Sequence, residues 1–308
     1  MPEIAVLIPC YNEEATIAKV ARDFANILPG AQVYVYDNNS TDGSVQKALT
    51  AGAHARTERL QGKGQVVRRM FADVEADIYV LVDGDDTYDA ASAPQLVRAI
   101  TEGPYDMVNA ARVSRSAAAY RRGHLFGNHA ISFVVGLLFR RSFRDVLSGY
   151  RAFSRRFVKS FPALARGFEI ETELTVHALQ LRLPVHEVET PYQERPEGSL
   201  SKLKTFRDGA RILFAIFYLM KEEKPLVFFG VTGAALAAFA LWLGLPVVDE
   251  FMRTGLVPRV PTAVLATGFM ILSFMSFGLG LILDSLTRAR LEAKRMHYLA
   301  QSALRHMR

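Results

Sequence analysis

The chain has a single cysteine, Cys10, among its 308 residues. It can form no internal disulfide and has no cysteine-based metal site; Cys10 reads as a small buried residue. Its single tryptophan, Trp242, falls inside a long apolar run. The glycine patterns of the common nucleotide folds are missing. Gly62-Lys63-Gly64 lacks P-loop spacing and no Gly-x-Gly-x-x-Gly run occurs, which argues against a P-loop NTPase and a dinucleotide enzyme. Ile4 to Ile8 is too short for a secretory leader and is closed by Pro9, so the N-terminal part is expected in the cytoplasm. His124, His129, His177 and His186 show no metal-ligand spacing and read as structural. Internal repeats and low-complexity tracts are lacking as well.

Charge itself is missing from two stretches, Pro225 to Val248 and Thr262 to Leu283. Each exceeds the roughly 20 apolar residues that cross a bilayer, so both are expected to be membrane spans. The link from Asp249 to Val260 carries few cations, whereas the segments before Pro225 and after Leu283 are rich in Arg and Lys. The positive-inside rule then puts both chain ends in the cytoplasm and the link outside. From Leu203 to Met220, Phe206, Leu213, Phe217 and Met220 interleave with Lys204, Arg207 and Arg211, the composition of an interfacial helix. His124 to Phe139 is apolar but too short to span, and suits a helix lying on or under a bilayer.

What the chain has in excess is apolar content and positive charge. Half its residues are hydrophobic, and 37 Lys and Arg against 31 Asp and Glu leave a net charge of +6. That balance suits an anionic membrane surface, nucleic acid or phosphate-bearing substrates. A nucleic-acid partner is not expected, because the basic residues flank apolar segments and no binding motif is present.

Short apolar runs alternate with helical patterns in the N-terminal half. Ile4 to Ile8, Gln32 to Tyr36, Tyr79 to Val82 and Asp106 to Ala111 read as strands, and Pro184 to Pro191 as an extended segment. Strand, helix, strand, helix, strand at this spacing predicts a mainly parallel α/β sheet. Asn12, followed by Glu13 and Glu14, reads as a helix N-cap with acids in the first turn.

Tyr79 to Val82 runs into Asp83-Gly84-Asp85-Asp86. Three carboxylates within one turn repel one another, and at the carboxyl end of a parallel strand they suit Mg²⁺ or Mn²⁺ on a diphosphate. A solvated acidic turn is the alternative. The strand Gln32 to Tyr36 also ends on an acid, Asp37, which should share that sheet edge, although capping of the next helix accounts for it as well. In Phe168 to Leu174, helical spacing puts Glu169 and Glu173 on one face and Glu171 on another.

The ordered set IPCYNEE, DNNSTDGS, GKG, DGDDTYD, LSGYRAF and ERPEGSLSK, followed by paired terminal spans, resembles family 2 glycosyltransferases of the GT-A fold. Within them it is similar to the membrane-bound polyprenyl-phosphate transferases, such as dolichol-phosphate mannose synthases and bactoprenol glucosyltransferases. The likeness covers essentially the whole chain. It implies a cytoplasmic GT-A catalytic domain with a Rossmann-like, mainly parallel sheet over residues 1–200. An amphipathic interfacial segment 201–224, two transmembrane helices within 225–283 and a basic cytoplasmic helix 284–308 would follow.

The implied reaction is inverting transfer of a sugar from a nucleotide sugar, UDP-glucose or another UDP-hexose, to polyprenyl phosphate at the inner membrane. A GDP-mannose-dependent synthase and a non-catalytic nucleotide-sugar-binding scaffold are the alternatives. The implied cofactor is Mg²⁺ or Mn²⁺, and a homotetramer is implied by resemblance alone. Pro9, Tyr11, Glu13, Asp37, Lys63 and Asp83 would line the nucleotide pocket, with Asp85 and Asp83 at the metal. Arg112, Arg121, Arg122, Arg195, Ser199 and Lys202 would serve the acceptor phosphate, with Gly198 to Lys202 closing over the diphosphate. Asp145 would orient the acceptor or act as base near the anomeric carbon, unless it caps a helix or pairs with Arg151. One position departs from the pattern: Thr87 stands where the mannose synthases carry Gln.

Overall fold

A computed structural model describes residues 2–113, 132–133, 135–139, 143–165, 167, 169–193, 217–218 and 220–302. By internal packing the chain forms two units, Met1–Ile212 with Lys294–Arg308, and Leu213–Ala293.

The first unit is built on a seven-stranded sheet of order β3-β2-β1-β4-β6-β5-β7. Its strands are β1 (Ile4–Cys10), β2 (Gln32–Asp37), β3 (His54–Thr57), β4 (Ile78–Leu81), β5 (Met107–Val113), β6 (Arg151–Ser154) and β7 (Val185–Pro191). All pairings are parallel except those of β6, which runs antiparallel to both β4 and β5. Two antiparallel steps restore direction, so β5 and β7 point the same way as β1, β2 and β4.

The central strands have no solvent face. Every residue of β4 is buried, as are Ala5 to Ile8 of β1, because helices cover both sides. Helix α1 (Ile17–Ile27) buries Ile17, Val20, Ala21 and Phe24, the i, i+3, i+4, i+7 stripe of an amphipathic helix. Helix α2 (Ser44–Thr50), α3 (Lys63–Asp73), α4 (Ala93–Glu102), α5 (Arg155–Ser160) and α6 (Ile170–Gln180) complete the unit. Each large side chain such as Ile8, Phe24 or Val80 withdraws about 1.5–3 kcal/mol worth of apolar surface from water.

The expected N-cap at Asn12 is not one. Asn12 takes a left-handed φ of 51°, and α1 begins five residues later at Ile17, whose N–H reaches the Glu13 carbonyl at 2.9 Å. Asn12 is drawn away by the next loop: its N–H donates to Ser40 Oγ at 2.9 Å and its Oδ1 accepts from the Thr41 N–H at 2.8 Å. A side chain that satisfies another loop's backbone cannot also cap its own helix.

The second unit contains most of two long apolar helices, α7 (Pro225–Thr254) and α8 (Val260–Leu299). Both are long and apolar enough to cross a membrane. Helix α8 is continuous through the second apolar stretch and the basic segment after it. Apart from Pro225, the buried residues of the pair recur every seven positions, at Gly233, Ala240 and Val247 on α7 and Ala266, Ser273 and Gly280 on α8, most of them small. That is the spacing of a left-handed helix pair whose backbones approach closely. A Cβ on Gly233 would sit 3.0 Å from the Phe277 ring and 3.1 Å from the Ser273 carbonyl oxygen. Ser273 Oγ donates to the Gly233 carbonyl at 2.8 Å, and Ser276 Oγ to that of Phe229 at 2.8 Å. Of the expected interfacial segment 201–224, residues 217–218 and 220–224 are described and the rest lies outside the described residues.

Candidate active site

The topology gathers the chemistry at one rim. Strands β1, β2, β4, β5 and β7 end there and β6 starts there, because Leu81 pairs with Arg151 across β4 and β6. Pro9, Tyr11, Asp37, the Asp83 to Thr87 turn, Arg112, Gly149 and Tyr192 therefore share the carboxyl edge. This is where an open α/β sheet binds its ligands.

Two loops at this rim are laced together. The Glu13 N–H donates to Ser44 Oγ at 2.9 Å, the Glu14 N–H to Asp42 Oδ2 at 3.2 Å, and the Gly43 N–H returns to Glu14 Oε2 at 3.1 Å. Lys47 adds an ion pair to Glu14 at 3.3 Å. Glu14 thus serves the second loop rather than a helix turn of its own. Asp37 is buried, and its carboxylate accepts the Ser40 N–H at 3.1 Å, which is turn capping. Asn38 reaches further: its Nδ2 donates to the carbonyls of Glu58 (2.9 Å) and Leu60 (2.8 Å), while its Oδ1 accepts the Gly62 N–H at 2.7 Å. That clamp fixes the Gly-Lys-Gly loop, where Gly62 takes a φ of 128° that a side chain would strain. The sequence reading missed Asn38, although it lies within the DNNSTDGS run.

The three aspartates of the β4 turn are partnered separately, which relieves their repulsion. Asp86 (φ 56°) pairs with Lys19 at 2.7 Å. Asp83 Oδ1 accepts from Lys63 Nζ at 2.5 Å, and the same ammonium lies 2.5 Å from Glu171 Oε1 on α6. Asp85 is buried, and its Oδ1 accepts the Thr87 hydroxyl at 2.6 Å. Thr87, the departure noted above, therefore orients Asp85. It is fixed in turn by its carbonyl, which accepts the Gln193 N–H at 2.9 Å, beside the Tyr88–Tyr192 bridge.

Burial alone would lower the Lys63 value, but the carboxylates of Asp83 and Glu171 outweigh it and hold the ammonium well above the usual lysine range. Burial pushes the Glu171 carboxyl upward, against the pull of Lys63. Gly149 presses against this group: a Cβ there would lie 2.8 Å from Asp83 Cγ, and its N–H donates to Tyr88 Oη at 2.8 Å.

Asp145 pairs with Arg112, not with Arg151. The Arg112 fork meets it at 2.6 Å (Nε to Oδ2) and 2.8 Å (Nη2 to Oδ1), and the Leu147 N–H adds a bond at 3.2 Å. The guanidinium also lies 5.3 Å from the centre of the Tyr192 ring. Arg151 is fully buried and serves the backbone, donating to the carbonyls of Val146 (2.6 Å) and Ser148 (3.0 Å) and to Thr175 Oγ1 (2.8 Å). Burial brings its value down to about 10. It ties the loop that carries Asp145 and Gly149 to α6. Of the remaining expected site residues, Arg121, Arg122, Arg195, Ser199 and Lys202 lie outside the described residues.

The donor set suits a hard divalent ion shared with a ligand. Among the described residues no group of three His, Cys, Asp or Glu side chains could hold a metal unaided. Two carboxylates, Asp83 and Asp85, at a strand end match the Mg²⁺ habit of one or two carboxylates plus substrate phosphates.

The profile described as Glycosyl transferase family 2 matches residues 5–161, half of the chain. The chain belongs to that family. It is 36% identical over 274 residues to the glycosyltransferase AglJ of Haloferax volcanii, covering 87% of this chain and 88% of that one. It is 28% identical over 222 residues to the dolichyl-phosphate hexose transferase of the same organism, covering 72% and 96%. Glucosyl-3-phosphoglycerate synthase from Mycobacterium tuberculosis, crystallised with Mn²⁺, UDP and glucosyl-3-phosphoglycerate, superposes with a TM-score of 0.57 at 24% identity, over 71% of this chain and 79% of that one. That likeness bears out the GT-A fold.

Proposed function

We propose that this glycosyltransferase moves a hexose from a UDP-hexose to polyprenyl phosphate at the cytoplasmic face of the membrane, inverting the anomeric carbon. What carries the reading is the union, in one chain, of the Lys63–Asp83–Asp85 rim with two helices long enough to span a bilayer. The dolichyl-phosphate hexose transferase among its relatives supports the lipid-phosphate acceptor. A phosphate oxygen of the acceptor forms the new bond to the anomeric carbon while the bond to the UDP oxygen breaks.

A divalent cation at Asp85 and Asp83 would neutralise charge on the leaving diphosphate. Thr87 fixes the Asp85 carboxylate, and Lys63 brings a second cation to the same group. The acceptor is already anionic, so it needs cationic positioning more than a base. Asp145, its oxygens engaged by Arg112 and the Leu147 N–H, suits holding Arg112 rather than taking a proton. Arg121, Arg122, Arg195, Ser199 and Lys202 are assigned to the acceptor and diphosphate on family likeness, as is a homotetramer.

The test is a panel of nucleotide sugars offered to the purified chain with undecaprenyl phosphate and Mg²⁺ or Mn²⁺. UDP release that depends on the lipid phosphate is expected. Turnover with GDP-mannose alone would move the donor to mannose, and nucleotide release without lipid phosphate would overturn the acceptor.

A further inference from the structure

Lys63 is one cation shared by two carboxylates, one part-exposed and one buried, and its partners come from different directions. Asp83, assigned with Asp85 to the metal, lies just past the end of β4; Glu171 stands on α6, 108 positions from Lys63 in sequence. The Lys63 and Glu171 side chains are nearly sealed from solvent, at 9% and 7% exposure, whereas Asp83 is open to 27%. Glu171 Oε2 is buried and has no hydrogen-bond partner among the described residues. The backbone beneath it is tied to Arg151, since the Glu171 carbonyl accepts from Thr175 Oγ1 at 3.1 Å and that hydroxyl accepts from Arg151. A buried carboxylate with an idle oxygen is costly, and such a group is kept where it meets a demand arising in another state of the site.

We propose that Glu171 is a positioning residue that keeps Lys63 beside the diphosphate once the nucleotide and its cation occupy Asp83. This rests on the donor half of the function proposed above. A divalent ion held by Asp83 would compete with Lys63 for the same carboxylate, and its like charge would repel the ammonium. Without Glu171 the displaced lysine would be a buried cation lacking a counter-charge, or would swing to solvent. With Glu171 it pivots between two fixed carboxylates, and Oε2 supplies the acceptor that Asp83 Oδ1 gives up. The ammonium is then retained at the rim as a donor to the diphosphate, where charge-assisted bonds are strongest.

The test compares UDP with uridine as competitors of a fluorescent UDP analogue on the full chain in detergent with Mn²⁺. Glu171→Gln keeps the volume and removes the charge. It should weaken UDP by about tenfold or more while leaving uridine unchanged, because only UDP carries the phosphates Lys63 would meet. Glu171→Asp, which keeps the charge on a shorter stem, should recover part of the loss and stands in if the amide variant does not fold. A general disturbance of the pocket would weaken both ligands alike and would overturn the proposal, as would unchanged UDP affinity. If the wild-type chain bound neither UDP nor GDP, the donor reading and this inference would fall together. If it bound UDP but never used polyprenyl phosphate, only the acceptor reading would fall.

Discussion

The two units of this chain bury opposite kinds of residue. The sheet unit hides its large side chains, among them Tyr36, Tyr79, Phe24, Phe153 and Phe157. The helical pair hides Gly233, Ala240, Ala266, Ser273 and Gly280 and turns Leu241, Trp242, Phe274, Met275 and Ile282 outward. In water the first arrangement stabilises a fold and the second exposes a long apolar surface that soluble monomers rarely show. In a bilayer the second gains, because lipid covers the outward residues and close backbone approach holds the helices together. The difference fits a sheet unit packed for water and a helical pair whose outward face lipid would cover, with the proposed reacting groups in the unit whose interior buries ion pairs.

The largest break in that comparison is expected at Asp85. Asp85→Ala removes the carboxylate that Thr87 orients. If the metal assignment holds, turnover should fall by about a thousandfold, the several kcal/mol a divalent ion supplies to a leaving diphosphate. The helical unit should not notice, so the amount recovered in membranes should match wild type. Transfer at wild-type rate in the variant would overturn the metal assignment.

Phe274→Arg probes the other unit. Phe274 is 70% exposed and lies mid-way along the second uncharged stretch. On a water-facing surface such a change shifts stability by no more than about 0.5 kcal/mol. Facing lipid near the helix centre it should make insertion less favourable by about 3 kcal/mol. Insertion scored by reporter topology, with UDP binding as the control for the sheet unit, separates the two cases. Unaltered insertion would mean that this face does not meet lipid.

The sequence disclosed the parts governed by local pattern. Strands β1, β2 and β4 are apolar runs that end in turn residues, β5 and β7 fall in the segments read as a strand and as extended, and the uncharged stretches fall within α7 and α8. Strands β3 and β6 escaped for physical reasons. His54 to Thr57 forms a mostly exposed edge with no hydrophobic signature. Arg151 to Ser154 opens with a charge whose burial depends on carbonyls and a hydroxyl brought up by the fold. At the site, the acidic turn was legible because three aspartates in four positions demand a reason. The tie between Lys63 and Glu171 was not, since nothing in residues 108 apart announces contact. The same limit applied to Asp145, for which an ion pair with its near neighbour Arg151 was one alternative and which Arg112 holds instead.

Acidity should sharpen the comparison by touching one unit alone. His177 on α6 packs against the rings of Phe157 and Phe161, with Ser160 Oγ 3.3 Å from its Nε2 and, among the described residues, no hydrogen-bond partner at Nδ1. Burial, aided by the charge of Lys294, pushes its value from 6.5 down to about 3. Above pH 6.5 the imidazole is neutral in the native and unfolded chains alike, and no stability is lost. As the pH falls below that value the unfolded chain takes up the proton first, so stability declines by up to about 1.4 kcal/mol per pH unit until the native histidine protonates. The second unit, Leu213–Ala293, contains no histidine, so it has no such liability. His177→Leu, which cannot be protonated, should flatten the fall in Tm of the sheet unit between pH 6.5 and 5, a difference of about 2 kcal/mol at the lower limit. An equal decline in wild type and variant would place the acid sensitivity elsewhere in the sheet unit, and the buried imidazole would then be neutral to folding.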